Sequence, residues 1–278
     1  MVGVIQGRLS PMFNGRYQAF PLYHWKKEFY IAKSLGFDCI EFIYDHENYE
    51  ANPLITKGGL DEIKEVVEST GVRVFSICAD FFMKYPLFGR NKEKRKKNSE
   101  SLVELIEHSS TIGITDITIP CVDETSLKGK EEDVEELKKS LQKCLPIADK
   151  YRININLETD LPPGKFSDLI MDLNHHRVKV NYDIGNSASL GYNPEEELDA
   201  YGKYISILHV KDRLLGGGSV KLGTGDADFE TVFKKLKYIG FDKLIIIQAA
   251  RAKKDNDEID CVREQFSFLK NCLGRWFL

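Results

Sequence analysis

Two carboxylates, an imidazole and a side-chain amide stand at the ends of four successive apolar runs. Glu158 ends residues 152–158, Asp183 ends 178–183, His209 falls at the end of 205–210, and Gln248 ends 243–248. A buried parallel strand that delivers polar groups at its C-terminal end marks the reactive face of an α/β protein. Brought to one mouth, this donor set suits a hard-to-borderline divalent cation: Mn²⁺, Mg²⁺, Co²⁺ or Zn²⁺. One such residue commonly caps a helix or pairs with a neighbouring cation; four at consecutive strand ends are much harder to reach by accident. The third run continues as Lys211-Asp212-Arg213, so His, Lys, Asp and Arg fall within five residues.

Further cations sit near the same ends. Arg8 follows the first strand, Lys211 and Arg213 the seventh, and Arg251 lies just past Gln248. Arginine suits bidentate capture of phosphate or carboxylate, so this rim predicts an anionic small molecule. The competing reading is that they pair with Asp212, Asp226 and Asp228. Glu41, at the end of the second strand, is a candidate substrate or proton-transfer carboxylate; its plainer reading is a pairing with a loop cation. Lys211 is a candidate for assisting proton transfer, although an unperturbed lysine is a poor acid–base group at neutral pH.

The elements that position these residues alternate strictly. Strands are predicted over 2–6, 38–43, 72–78, 116–119, 152–158, 178–183, 205–210 and 243–248. Helices are predicted over 22–35, 60–70, 93–112, 131–151, 165–173, 194–201, 229–239 and 258–273, several closed by glycine, with Pro146 expected to kink or displace the end of the fifth. Eight βα units with short connections over 1–278 predict one domain, a parallel eight-stranded (β/α)8 TIM barrel. An open doubly wound sheet is disfavoured because no GxGxxG opens the first helix.

The bulk properties narrow the function classes. The 278 residues carry 39 basic and 43 acidic side chains, a net charge of −4, which points to no nucleic acid and no anionic membrane as partner. No apolar run reaches the ~20 residues of a membrane span. The first residues lack the pattern of a secretory signal. The six cysteines are scattered without a CxxC pair, so reduced thiols and a cytoplasmic location are expected. The basic run at 92–97 reads as a solvated helix face, and His175-His176 lies at the opposite end of the strands from the mouth.

Several segments together resemble the xylose isomerase-like TIM barrels, a family of sugar (phosphate) isomerases, 3-epimerases and inosose dehydratase, and more distantly endonuclease IV. They are Leu157-Glu158, Tyr182-Asp183-Ile184-Gly185-Asn186, His209-Val210-Lys211-Asp212, the glycine-rich stretch 222–229 and the opening Gln6-Gly7-Arg8-Leu9-Ser10-Pro11. The resemblance covers nearly the whole chain. It implies that Glu158, Asp183, His209 and the strand-eight residue hold a divalent metal. It also implies that a small-molecule sugar or sugar phosphate is the substrate, with Arg8, Glu41, Asn186, Arg213 and Arg251 as substrate contacts. Pairing of two copies through the long loops is compatible with such a barrel.

The sequence departs from the family at two of these positions. Epimerases of the family generally carry Glu at the end of strand eight and often His three residues after the strand-six Asp; here stand Gln248 and Asn186. An amide can ligate through its oxygen but takes no proton at neutral pH. The expected chemistry is proton transfer next to a carbonyl through an enediolate, with Glu158 as base and the metal binding the carbonyl and the adjacent hydroxyl. One base fits isomerisation or a dehydration of the inosose dehydratase type; 3-epimerisation needs a further acid such as Glu41. Two alternatives remain: a non-catalytic sugar-binding barrel with a decayed metal site, and a multi-zinc nuclease, which six histidines and a net negative charge disfavour.

Overall fold

In the computed structural model, described for residues 1–252 and 257–277, eight parallel strands close into a barrel in the order β1-β2-β3-β4-β5-β6-β7-β8. They are β1 (Val2–Ile5), β2 (Cys39–Ile43), β3 (Ser76–Cys78), β4 (Asp116–Cys121), β5 (Asn154–Thr159), β6 (Val178–Asp183), β7 (Ile205–Val210) and β8 (Leu244–Ile247). Strands covered on both faces need little alternation, and β2, β4, β7 and β8 are buried at every residue. The expected third strand shortens: only Arg73 of the stretch before Ser76 makes an isolated bridge, to Cys39, although Val72 and Val74 are buried.

Ten α-helices are present among the described residues. In chain order they are α1 (Trp25–Leu35), α2 (Lys57–Thr70), α3 (Phe81–Lys84), α4 (Lys92–Ser110), α5 (Glu131–Lys150), α6 (Pro163–Leu173), α7 (Ile184–Leu190), α8 (Pro194–Tyr201), α9 (Phe229–Tyr238) and α10 (Glu258–Cys272). Pro146 lies inside α5, which continues to Lys150 rather than ending at the proline. Gly36 and Gly71 end α1 and α2 in the left-handed conformation that a Cβ disfavours. The two helices beyond the expected eight, α3 and α7, begin directly after Asp80 and Asp183 at the barrel mouth. No described helix is long and apolar enough to cross a membrane, and all six cysteines are free thiols.

One irregularity decides which β7 residues face inward. Val180 pairs with Ile205, but the next residue, Asn181, pairs with Ile207, so Ser206 is an extra residue in β7. Ser206 Oγ donates to Asp116 Oδ1 at 2.9 Å inside the barrel, and His209, three residues on, also reaches the interior. Strict alternation cannot bring residues three apart to one face; the bulge shifts the phase and aims the imidazole at the mouth.

A buried carboxylate organises the loop after β1. Glu28 on α1 accepts from Gly7 N at 3.0 Å, Leu9 N at 3.2 Å and Ser10 Oγ at 2.6 Å, holding Arg8 at the mouth. Burial raises the Glu28 carboxyl to about 7 despite these bonds. The folded state therefore binds this proton more readily than the unfolded chain between about pH 4.5 and 7. Glu28's share of the stability is present below that window and falls as pH rises through it, by roughly 3 kcal/mol. Urea unfolding at pH 5 and pH 8 checks this. Glu28→Gln should flatten the difference between the two pH values by about that amount, and an unchanged difference would contradict it.

Candidate metal and active centre

Glu158, Asp183 and His209 each offer a ligand atom, all within 4.8 Å of one another, and all three are buried. Period-two alternation brings the first two inward: Asn156 and Glu158 share one face of β5, Asn181 and Asp183 one face of β6. Asn181 ties the group together. Its Nδ2 donates to Glu158 Oε2 at 2.8 Å and lies 3.0 Å from His209 Nδ1. Asn186 Nδ2 donates to the other Glu158 oxygen at 2.7 Å.

Asp183 also caps α7. Its Oδ1 accepts from Asn186 N at 2.9 Å, which fixes the carboxylate, while Oδ2 accepts from Lys211 Nζ at 2.7 Å. Gly185 makes room for this lysine, since a Cβ there would overlap Lys211 Cγ. Burial lowers the Lys211 pKa, but the charges of Asp183 and Glu158 outweigh it and hold the ammonium above its ordinary value. Arg213 Nη1 donates to Asn186 Oδ1 at 2.9 Å, so the seventh strand's cations position the amide that holds Glu158.

His209 is fixed from behind. Its Nε2 lies 2.8 Å from Glu41 Oε2, with both side chains fully buried. Nε2–H donating to this carboxylate leaves Nδ1 facing Glu158 Oε2, 3.8 Å away. Burial lowers the imidazole's pKa, and the negative field of Glu41, Glu158 and Asp183 more than reverses this, raising it to about 9. Nδ1 is thus the position for which a proton and a metal cation would compete. A carboxylate behind a ligating histidine typically contributes 10–100-fold to metal affinity. Glu41→Gln should weaken Mn²⁺ binding by roughly that factor in calorimetry; unchanged affinity would contradict the arrangement.

The donor set fits a divalent ion. Gln248 lines the same cavity as Glu158, and its Oε1 is buried with no hydrogen-bond partner among the described residues, an acceptor available as a fourth oxygen. The amides and Lys211 that already bond to the carboxylates leave further lone pairs, since a carboxylate offers about four. Burial and the nearby Asp183 raise the Glu158 carboxyl to about 7.

Above this floor opens a cavity of about 710 Å³ lined by Glu158, Asn186, Lys211, Arg213, Arg8, Gln248 and the buried Asp80, with Arg16, Lys84 and Tyr17 toward the rim. Of the expected substrate contacts, Arg8, Asn186 and Arg213 line it. Glu41 instead lies beneath the floor against His209. Arg251 donates to the backbone carbonyls of Gly7 and Ser10 and lines a neighbouring cavity. The expected competitors for the arginines are otherwise engaged. Asp212 accepts from the amides of Gly223, Thr224, Gly225 and Ala227, Asp226 from Leu215 N, and Asp228 caps α9. A Cβ on Gly225 would overlap Asp212 Oδ1, which explains the glycine-rich loop.

His175 and His176 lie on the loop before β6, where His176 pairs with Asp149 at 2.8 Å. Asn181, Gln18 and Asp80 belong to the site network but were not singled out by sequence. The signal for Asn181 was available: it stands two residues before Asp183 on a strand.

Residues 29–272 match the family model described as xylose isomerase-like TIM barrel, and the chain belongs to that family. It is 28% identical over 225 residues to L-ribulose-5-phosphate 3-epimerase UlaE of Shigella flexneri, covering 78% of this chain and 79% of that one. Its fold is similar to that of D-psicose 3-epimerase from Clostridium cellulolyticum H10, solved with D-tagatose (TM-score 0.78, 15% identity, 98% and 99% of the two chains). It is equally similar to the IOLI protein with a bound zinc atom (TM-score 0.79, 17% identity, 99% of each chain).

Proposed function

We propose that this protein is a divalent-metal-dependent isomerase or epimerase that moves a proton on the carbon beside the carbonyl of a phosphorylated ketose. One observation carries the reading: Glu158, raised to about 7, stands between two amide donors at the floor of a cavity that Arg8 and Arg213 also line, and beside two further metal-type ligands. A carboxylate of that pKa is suited to take and return a proton near neutral pH.

Glu158, Asp183, His209 and the Gln248 oxygen would hold the metal, and a bound ion would supply Lewis acidity at the substrate carbonyl. Glu158 takes the proton, with Asn181 and Asn186 holding its two oxygens in place. Lys211, kept charged, contributes positive field and anchors Asp183 rather than shuttling a proton. Arg8 and Arg213, with Lys84 at the rim, give the cavity an anion-binding character that suits a phosphate group, while Arg16 is already paired with Asp45. That inference agrees with the phosphorylated pentulose named for the curated relative.

The test is deuterium uptake from D2O by L-ribulose 5-phosphate in the presence of Mn²⁺ and the protein, followed by NMR. Deuterium at carbon 3 is expected for an epimerase and at carbon 1 for an isomerase. Tight metal binding without exchange in any of a panel of ketoses and ketose phosphates would turn the reading to a sugar-binding barrel, which the amide at Gln248 favours.

A further inference from the structure

Inversion at a carbon needs a proton removed from one face and delivered to the other. Glu158 can serve one face. The Gln248 amide, just after β8, cannot serve the second, because it carries no acid able to give a proton at neutral pH. Of the other carboxylates that line the cavity, Asp123 and Glu124 are exposed at the rim; Asp80 is buried.

Asp80 follows β3 and is held in the cavity wall by one side chain. Gln18 Nε2 donates to Asp80 Oδ2 at 2.8 Å, and Gln18 Oε1 accepts from Gln248 Nε2 at 3.1 Å and Arg8 Nη2 at 3.2 Å. Asp80 thus stands at the end of β3, two strands from the β5 of Glu158, lines the same cavity, and is linked through a single amide to Gln248, the residue just after β8. Its second oxygen accepts from Cys78 Sγ at 3.3 Å. Among the described residues no lysine, arginine or histidine forms an ion pair with it, so its charge is not locked. Burial raises its pKa, as an acid that must carry a proton requires.

We propose that Asp80 is the second proton-transfer residue of this site and makes the reaction an inversion at carbon 3. The inference rests on the proton-transfer reading of the site given above. Glu158 takes the proton from carbon 3; the C–H pair becomes the double bond of an enediolate. Asp80, as the carboxylic acid, then gives its proton to the opposite face of carbon 3 while that pair forms the new C–H bond and the carbonyl returns. Glu158 ends protonated and Asp80 ionised, and exchange with water resets both.

The experiment uses the Mn²⁺-loaded full chain with L-ribulose 5-phosphate and, separately, its C3 epimer, both in D2O. Asp80→Asn should slow interconversion at least ~100-fold. It should still wash deuterium into carbon 3 of the one epimer whose hydrogen faces Glu158, and lose exchange in the other. Asp80→Glu should recover part of the inversion. One-sided exchange is a signature that a merely structural loss would not give, and it also shows that the variant is folded. Wild-type interconversion by Asp80→Asn would overturn the proposal, as would equal loss of exchange from both epimers. Absence of exchange by the unmodified protein with either compound would instead count against the proton-transfer reading itself, and the role of Asp80 would fall with it.

Discussion

Glu158→Gln should abolish proton exchange while leaving the barrel intact. The substitution keeps the volume and leaves an oxygen for one of the two amide donors, Asn181 and Asn186. What it removes is the only group on β5 able to take a proton. A general base of this kind typically contributes 10²–10⁴-fold, so deuterium uptake should fall by about that factor. Lys211 and the protonated His209 keep their other carboxylate partners, Asp183 and Glu41. Thermal stability should therefore change little compared with the loss of exchange. A variant that retained exchange within a few-fold of the unmodified protein would exclude Glu158 as the base.

His209→Ala should have the second large effect, on metal affinity. The imidazole is fully buried, held at Nε2 by Glu41 and near Glu158 at Nδ1. Its removal deletes the one nitrogen donor and leaves Glu41 buried without its partner. An unpaired buried charge costs several kcal/mol, about 3–5 where one member of a buried pair is deleted. Calorimetric Mn²⁺ binding to stripped protein should be lost, and the melting temperature should fall. Adding the Glu41→Gln substitution to His209→Ala should recover part of the stability and none of the metal binding, because it removes the stranded charge but not the missing donor. Recovery of neither, or metal binding unaffected by His209→Ala, would contradict the assignment.

The sequence made the barrel legible because eight β-rich runs and eight helical runs alternate with short connections, a pattern with few topological solutions. The strand-end residues were legible for the same reason: once the strands are parallel, Glu158, Asp183 and His209 must lie at one rim. The part that escaped depends on contacts between distant segments. Glu41 read as a mouth residue by its position on β2, yet it lies below the floor because its carboxylate meets His209, 168 residues away. The phase of β7 could not be read from alternation, since the extra residue at Ser206 is defined only by its pairing with β6. Arg251 read as a substrate contact, but the loop after β1 offers two carbonyls that bind its guanidinium first. Gln18 and Asp80 come from loops, where no periodicity ties a residue to the site.

A metal-loaded cluster acting on the carbon beside a carbonyl is the centre of the proposed function. The most direct measurement compares deuterium incorporation into L-ribulose 5-phosphate by chelator-stripped protein, by the same protein reloaded with Mn²⁺, and by reloaded Glu158→Gln. The expected result is exchange that disappears on stripping, returns on reloading and stays absent in the variant. Exchange that survives stripping, or that persists in reloaded Glu158→Gln, would contradict the metal-dependent proton transfer proposed for this site.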